Sequence, residues 1–374
     1  VIKSGQTYKI STTADLQALA TIVNSGHACA GVTFVMTGNI DLSSIENWTP
    51  IGGVNGTTTC TFSGTFDGNG YEITGLNIDS TSSYQGLFGY ISNATIKNLG
   101  ITGYEISGGN CVGALAGQAD SSTITNVYTE GTISATDSRV GGLVGYLNAS
   151  TITSCQASGT IESTSDRVGG LVGYGSSGTI VSSSSDANVV GAERVGGIAG
   201  FGAGIYISVY SSGTITATNS TKSNTAGGIV GLADAYTTIQ NSYTKATVSS
   251  GGGAIAGSVS SSTTLAITNS QALSDNYVAV PNAKTTITGC SVITADETPF
   301  TISAKKTAQA TGATTFGQMG LESSALVTIV SNGTESVFTV ETGTTLGQFQ
   351  SHLQGKGFTT DFTNGILTIS GANG

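Results

Sequence analysis

The sequence predicts an all-β chain built mainly from a right-handed parallel β-helix, and three observations carry that expectation. A glycine-framed tetrad recurs along much of the chain, the segments between its copies are short and β-branched, and no helical periodicity interrupts them. The copies are Gly86-Leu87-Phe88-Gly89, Ala114-Leu115-Ala116-Gly117, Gly142-Leu143-Val144-Gly145, Gly170-Leu171-Val172-Gly173, Gly197-Ile198-Ala199-Gly200, Gly228-Ile229-Val230-Gly231 and Ala254-Ile255-Ala256-Gly257. Their closing glycines stand 28, 28, 28, 27, 31 and 26 residues apart.

The cleanest period holds three strand-like pieces, Gly142–Leu147, Ser150–Cys155 and Gly159–Thr164, bounded by Gly, Ser, Asn or Asp. A propeller blade needs about 40 residues and four antiparallel strands. Twenty-eight residues and three strands fit one coil of a parallel β-helix, each strand pairing with its counterpart about 4.8 Å away. Alternation then points Leu143, Ile152 and Ile161 inward. A strand glycine costs roughly 0.5–1 kcal/mol relative to alanine, while each buried aliphatic returns about 1.5–3 kcal/mol. Four or five inward aliphatics therefore outweigh the glycines, whose places are set by positive-φ corners or by close backbone packing.

Two columns support stacking. Thr95-Ile96-Lys97-Asn98 recurs as Thr123-Ile124-Thr125-Asn126, Thr151-Ile152-Thr153-Ser154, Thr179-Ile180-Val181-Ser182, Thr238-Ile239-Gln240-Asn241 and Ala266-Ile267-Thr268-Asn269. Its Asn or Ser would bond neighbouring coils from a repeated corner. The second column is Arg139, Arg167 and Arg194, preceded by Asp137, Asp166 and Glu193. Stacked like charges repel, so an ion ladder with interleaved acids is expected.

The tetrads resemble the GLUG motif of bacterial secreted and cell-surface proteins. The lead-in resembles that family's too, through Asp15-Leu16-Gln17-Ala18-Leu19-Ala20, Asn39-Ile40-Asp41-Leu42, Trp48-Thr49-Pro50-Ile51-Gly52 and Phe62-Ser63-Gly64-Thr65-Phe66-Asp67-Gly68-Asn69-Gly70. The resemblance runs over roughly residues 7–295. It implies a bacterial surface or secreted repeat protein, with no catalytic motif to carry over. Within the lead-in, Thr12 and Asp15 read as a capping box. Leu16, Leu19, Ala20 and Val23 follow one helix face, which Gly26 closes. Such a helix would cap the open end of the solenoid. Asp67-Gly68-Asn69-Gly70 reads as a turn between strands and lacks the spaced acids of a calcium loop.

Domain boundaries are expected at 1–298 for the capped β-helix, 299–323 for a connector and 324–374 for a small ββαββ module. That module comprises Leu326–Val330, Ser336–Val340, a helix over Thr345–Gln354, Thr359–Phe362 and Ile366–Ser370. Its segment Phe338-Thr339-Val340-Glu341-Thr342-Gly343-Thr344-Thr345-Leu346-Gly347 resembles the flagellin hook IN motif, over about 325–371. That resemblance implies a long extracellular filament or stalk as the parent protein.

Composition bounds the partners. Only 9% of residues are charged, against roughly 25% in an average domain. The formal charge is −10, and no Lys/Arg cluster suits nucleic acid or an anionic membrane. No apolar run reaches the roughly 18–20 residues that cross a bilayer. The absence of an initiator Met and signal peptide, and the ending at Gly374, suggest a mature or excised extracellular fragment. The five cysteines, Cys29, Cys60, Cys111, Cys155 and Cys290, form no C-x-x-C pair. Cys29 and Cys60 are placed for a disulfide, with buried free thiols the equal alternative for all five. With only His27 and His352, neither a metal site nor a cofactor is expected.

Catalysis is not expected. Stacked Asp137 and Asp166 approach the carboxyl separation of a retaining glycosidase, about 5–5.5 Å. Each, however, lies beside an arginine that lowers its pKa. No G-x-S-x-G elbow has a partner His and acid. The sequence points to a structural and adhesive module for cell adhesion, with an unidentified host or matrix protein or glycan as partner. The alternative is a carbohydrate-binding or polysaccharide-degrading β-helix. Sugar binding uses flat aromatic platforms, and most tyrosines fall at different repeat positions. Tyr90, Tyr146 and Tyr174 share one slot and are the candidate binding residues.

Overall fold

Stacking coils of this sequence brings main chain against main chain at every tetrad, and the architecture follows from how those contacts are satisfied. The computed structural model describes residues 2–55, 58–219 and 226–293, four later strands, and the helical positions Phe349 and Ser351. The chain separates into two compact units, Val1–Asp296 and Glu297–Gly374. The first is a parallel β-solenoid of about nine turns.

One coil runs through Val140–Gly141, Val144–Asn148, Thr151–Thr153 and Gln156–Ser163 before Val168–Gly169 opens the next. Each segment pairs in parallel with its equivalent: Val140 with Val168, Tyr146 with Tyr174, Ile152 with Ile180, Ile161 with Val189. The three expected faces are present, with a fourth, two-residue strand that the sequence did not announce. Its ladder forms a separate sheet that includes Val112–Gly113, Val140–Gly141, Val168–Gly169 and Val195–Gly196.

Between the two-residue strand and the next, the tetrad makes a bend with a repeating bond pattern. The amides of Leu143 and Val144 both donate to the Leu171 carbonyl, each at 3.0 Å. Those of Leu171 and Val172 converge on Ile198 O (3.1 and 2.9 Å), and those of Ile198 and Ala199 on Ile229 O (2.9 and 3.0 Å). Each tetrad leucine or isoleucine thus buries its side chain completely, and from Leu143 to Ile255 its carbonyl takes two backbone donors from the adjacent coil. The closing glycine is what lets the coils approach. A Cβ on Gly145 would lie 2.5 Å from the Val112 amide nitrogen and 2.7 Å from the Arg139 carbonyl oxygen. Close packing, rather than a positive φ, explains this glycine.

Inside, a continuous column runs Phe34, Phe66, Ile96, Ile124, Ile152, Ile180, Tyr206, Ile239 and Ile267, paired coil to coil and each buried. Leu143, Ile152 and Ile161 all point inward, fully buried. Tyr206 takes an aliphatic slot because Gly175 and Gly202 leave room; a Cβ on Gly202 would sit 2.5 Å from its hydroxyl. The corner column is left-handed, with φ near 50° at Asn98, Asn126, Ser154, Ser182, Ser208, Asn241 and Asn269. Asn126 donates to Asn98 Oδ1 (2.9 Å) and Asn98 to Asp67 Oδ1 (3.1 Å), the coil-to-coil bonding expected of that corner. Buried serines finish the corners. Ser122, Ser183 and Ser242 accept amides of the preceding coil while donating to their own i−2 carbonyls.

The lead-in helix spans Thr13–Asn24, with the Thr12/Asp15 capping box formed and Leu16, Leu19, Ala20 and Val23 buried in the solenoid core. Gly26 follows at φ 98°. Asn69 (φ 53°) and Gly70 (φ 81°) turn the chain within one coil, not as a hairpin. The disulfide considered for Cys29 and Cys60 is not formed, and all five cysteines are free. The Cys60 thiol instead donates to Asn24 O at 3.5 Å, and Cys29 Sγ lies 3.4 Å from His27 Nδ1.

In the second unit, Ala325–Ser331 pairs antiparallel with Thr334–Val340, and Thr359–Thr363 with Ile366–Ser370. Phe349 and Ser351 are helical; the rest of the helix expected over 345–354 and the connector 299–323 lie outside the described residues.

Two measurements check this account. Gly145→Ala should lose about 1–3 kcal/mol in chemical denaturation, because only backbone can yield to the added carbon. Gly38→Ala, with nothing within 4 Å, should change stability by less than about 0.5 kcal/mol. Burial raises the thiol pKa of Cys29 to about 11 and of Cys155 to about 12. Their reactive thiolates are therefore scarce below those values. Alkylation at pH 8 should reach half-buried Cys290 first, spare Cys29 and Cys155 in the native chain, and count five thiols in denaturant without reductant.

Candidate recognition face

The residue opening each two-residue strand ladder follows a left-handed turn position, and that position projects side chains onto one outer face. Tyr84, Cys111, Arg139, Arg167 and Arg194 occupy it, with φ of 64°, 60°, 67°, 62° and 55°. Non-glycine residues adopt this region infrequently. Here the ladder holds them: Val112 N–H donates to Arg139 O (3.1 Å), Val140 to Arg167 O (3.0 Å) and Val168 to Arg194 O (3.2 Å).

Beside this column runs another, Tyr90, Gln118, Tyr146, Tyr174 and Phe201, in register through successive coils. Ring centroids are 5.0 Å apart for Tyr146–Tyr174 and 4.6 Å for Tyr174–Phe201. The guanidiniums interleave with the rings. Arg139 lies 5.1 Å from the Tyr146 centroid and 5.5 Å from Tyr174; Arg167 lies 5.4 Å from Tyr174 and 5.7 Å from Phe201. Each such contact contributes about 0.5–1 kcal/mol when exposed and about 2 kcal/mol when desolvated.

The expected ion ladder is therefore only partly ionic. Asp166 bridges Arg194 (2.6 Å) and Arg167 (3.7 Å). Asp137 instead accepts the Ser138 amide (2.7 Å), and Glu193 accepts Asn219 Nδ2 (2.9 Å). Among the described residues Arg139 has no carboxylate within 4.0 Å, and its Nε is buried without a hydrogen-bond partner. Aromatic faces, not interleaved acids, separate the stacked charges at Arg139.

The three candidate tyrosines share the column and are half-buried. Only Tyr146 and Tyr174 touch; Gln118 separates Tyr90 from them, and Tyr90 stacks instead on Tyr84 (6.1 Å, 7°). The Tyr90 hydroxyl donates to Asp120, whose two oxygens also accept Gln118 Nε2 at 3.1 Å. Burial, then Asp120, pushes the Tyr90 hydroxyl pKa upward, keeping it a donor. Phe201 and Tyr84 belong to the same face, although neither shares the repeated-tyrosine slot as a tyrosine. Phe201 was legible from its position directly after Gly200, as Tyr146 follows Gly145 and Tyr174 follows Gly173. Tyr104 and Tyr206 are core residues, and Tyr128 donates to Glu72.

Of the other candidates, exposed His27 has its Nδ1 accepting the Cys29 amide at 3.2 Å, and His352 lies outside the described residues. No group of three or more His, Cys, Asp or Glu side chains gathers among the described residues.

The family model that matches is the GLUG motif, at residues 136–162, one coil carrying Arg139 and Tyr146. A stretch of 101 residues is 36% identical to halomucin of Haloquadratum walsbyi, covering 25% of this chain and 1% of that protein. Among solved structures, a "putative immunoglobulin A1 protease" from Bacteroides ovatus matches at TM-score 0.44 and 18% identity, covering 76% of this chain and 74% of that one. An IgA1 protease matches at TM-score 0.42 and 20% identity, over 76% of this chain and 21% of that one. The expectation that the chain is not an enzyme is corrected by these matches, since both neighbours carry a protease name. At this distance the likeness carries no argument for a catalytic residue here.

Tyr174→Ala, which removes the ring between Arg139 and Arg167, should cost about 1–3 kcal/mol by chemical denaturation. Tyr174→Phe keeps the ring and should stay within about 0.5 kcal/mol of the parent.

Proposed function

We propose that this chain belongs to a secreted or surface-displayed protein whose solenoid presents the arginine–aromatic face to an extracellular ligand in cell adhesion. The observation that carries the reading is the continuous Tyr146–Tyr174–Phe201 column with guanidiniums set between its rings. Rigid aromatics and arginines on a stiff scaffold make contact at low entropic cost, the composition of binding hot spots. The GLUG match and the stretch shared with halomucin agree with an extracellular setting. No helix among the described residues is long and apolar enough to cross a membrane.

The ligand is a glycan or a host-matrix protein. A glycan is favoured by the aromatic column itself, because aromatic rings pack against the C–H faces of sugars while half-buried Asn148 and Ser176 stand beside Tyr146 and Tyr174 as hydrogen-bonding groups. For the second unit, the two antiparallel hairpins support a small module of the hook-motif kind following a connector at 299–323. The solenoid would then be the displayed part of a longer filament or stalk.

The test is a glycan-array and matrix-protein binding screen of the whole chain, with a Tyr90→Ala, Tyr146→Ala, Tyr174→Ala triple variant alongside. Saturable binding that weakens at least about tenfold in a variant of unchanged circular dichroism is expected. An intact chain that binds nothing overturns the reading and leaves a spacer.

A further inference from the structure

We infer that the ligand of this face is a linear acidic glycan lying along the solenoid axis, one sugar per coil, with a single acid group seated on Arg139. The inference rests on the adhesive reading above and names its ligand class.

Three features carry it. The chain has 12 basic residues, yet its three arginines, Arg139, Arg167 and Arg194, all stand at one repeat position on one face. Lysine supplies a point charge, whereas arginine combines a stackable plane with a forked set of donors that fits a carboxylate. Stacking on Tyr146 and Tyr174 fixes the Arg139 plane; Nη1 donates only to the weak acceptor Cys111 Sγ at 3.8 Å, and no carboxylate among the described residues pairs with the guanidinium.

Geometry supplies the second feature. Coils rise by about 4.8 Å, close to the length of one pyranose in an extended chain. On the aromatic column's other side runs a polar column, Asp120, Asn148 and Ser176, in the same register. A sugar chain along the axis would thus pass Gln118, Tyr146 and Tyr174 in turn, with the polar column on one flank and Arg139 and Arg167 on the other.

Charge supplies the third. Asp120 precedes Arg139 by one coil, and Asp166 follows it, bound to Arg167 and Arg194. Asp137, although turned to the Ser138 amide, adds further negative charge nearby. A polymer with an acid on every sugar would set like charges against these carboxylates. An acid on alternate sugars places one on Arg139 and neutral units beside the aspartates. The ligand class is therefore a polysaccharide alternating uronic acid with a neutral or N-acetylated sugar.

The experiment measures binding of the whole chain, by calorimetry, to oligosaccharides of an alternating uronate/N-acetylhexosamine polymer and to the same oligosaccharides with carboxyls reduced to alcohols. A fully sulfated glycan and single-stranded oligonucleotides are tested alongside. The acidic form should bind about tenfold tighter than the reduced form. Arg139→Gln should erase that difference by bringing the acidic form down to the affinity of the reduced form, and Arg139→Lys should restore only part of it. Tyr174→Ala should weaken both forms. Thermal melts of each variant confirm folding. Equal binding of both forms, an acid preference that survives Arg139→Gln, or tighter binding to the dense polyanion or oligonucleotide would overturn the inference while leaving an adhesive face. Binding to nothing on any panel would overturn both.

Discussion

Everything in the solenoid depends on the close approach of main chain to main chain at the tetrad bend. Two amides of one coil converge on a single carbonyl of the next, as Leu143 and Val144 do on Leu171. That geometry satisfies donors which a buried bend would otherwise strand, at about 1–3 kcal/mol each. It also brings the Val112–Arg139 backbone against Gly145, where no side chain fits. The glycine cost is therefore a condition of stacking, and the leucine or isoleucine in the same tetrad offsets it by full burial.

Once the bend fixes the register, every position becomes a column, and each column must be chemically self-compatible. Aliphatic columns are so by default. Asn and Ser columns are so because amides and hydroxyls bond onward to the next coil and tolerate the left-handed corner. A column of arginines is not, since neighbours repel. The structure resolves it by placing the Tyr174 ring between Arg139 and Arg167 and one shared carboxylate, Asp166, between Arg167 and Arg194. The two outer columns thus stand or fall together: without Tyr146, Tyr174 and Phe201 the arginines would have little to rest on.

Repetition made most of this legible in the sequence. The period, the inward Leu143, Ile152 and Ile161, the Asn/Ser corner and the capping box at Thr12 all follow from patterns that recur or obey local rules. What escaped was non-repeating or non-local. Tyr206 occupies an isoleucine slot, a substitution that makes sense only beside Gly175 and Gly202 from other segments. Tyr84 and Cys111 share the arginine slot through backbone conformation, not side-chain chemistry, so no motif search would join them. The two-residue Val-Gly strand is too short to read without its ladder. At the candidate site, the shared slot of Tyr90, Tyr146 and Tyr174 was readable, but the interposed Gln118 showed only when coils were counted in register.

This division has a functional consequence. In a solenoid each coil rests on its neighbours, so inward columns and tetrad bends carry stability while outward columns remain open to variation. Arginines in a mostly uncharged surface, confined to consecutive coils and held in place by rings, are not required by the stacking: Cys111 and Tyr84 adopt the same left-handed slot without a charge. The backbone geometry thus accounts for the position but not for the guanidinium. What the guanidinium adds is a rigid, forked cation repeated at coil spacing, and that is the feature on which the proposed recognition of a periodic ligand rests.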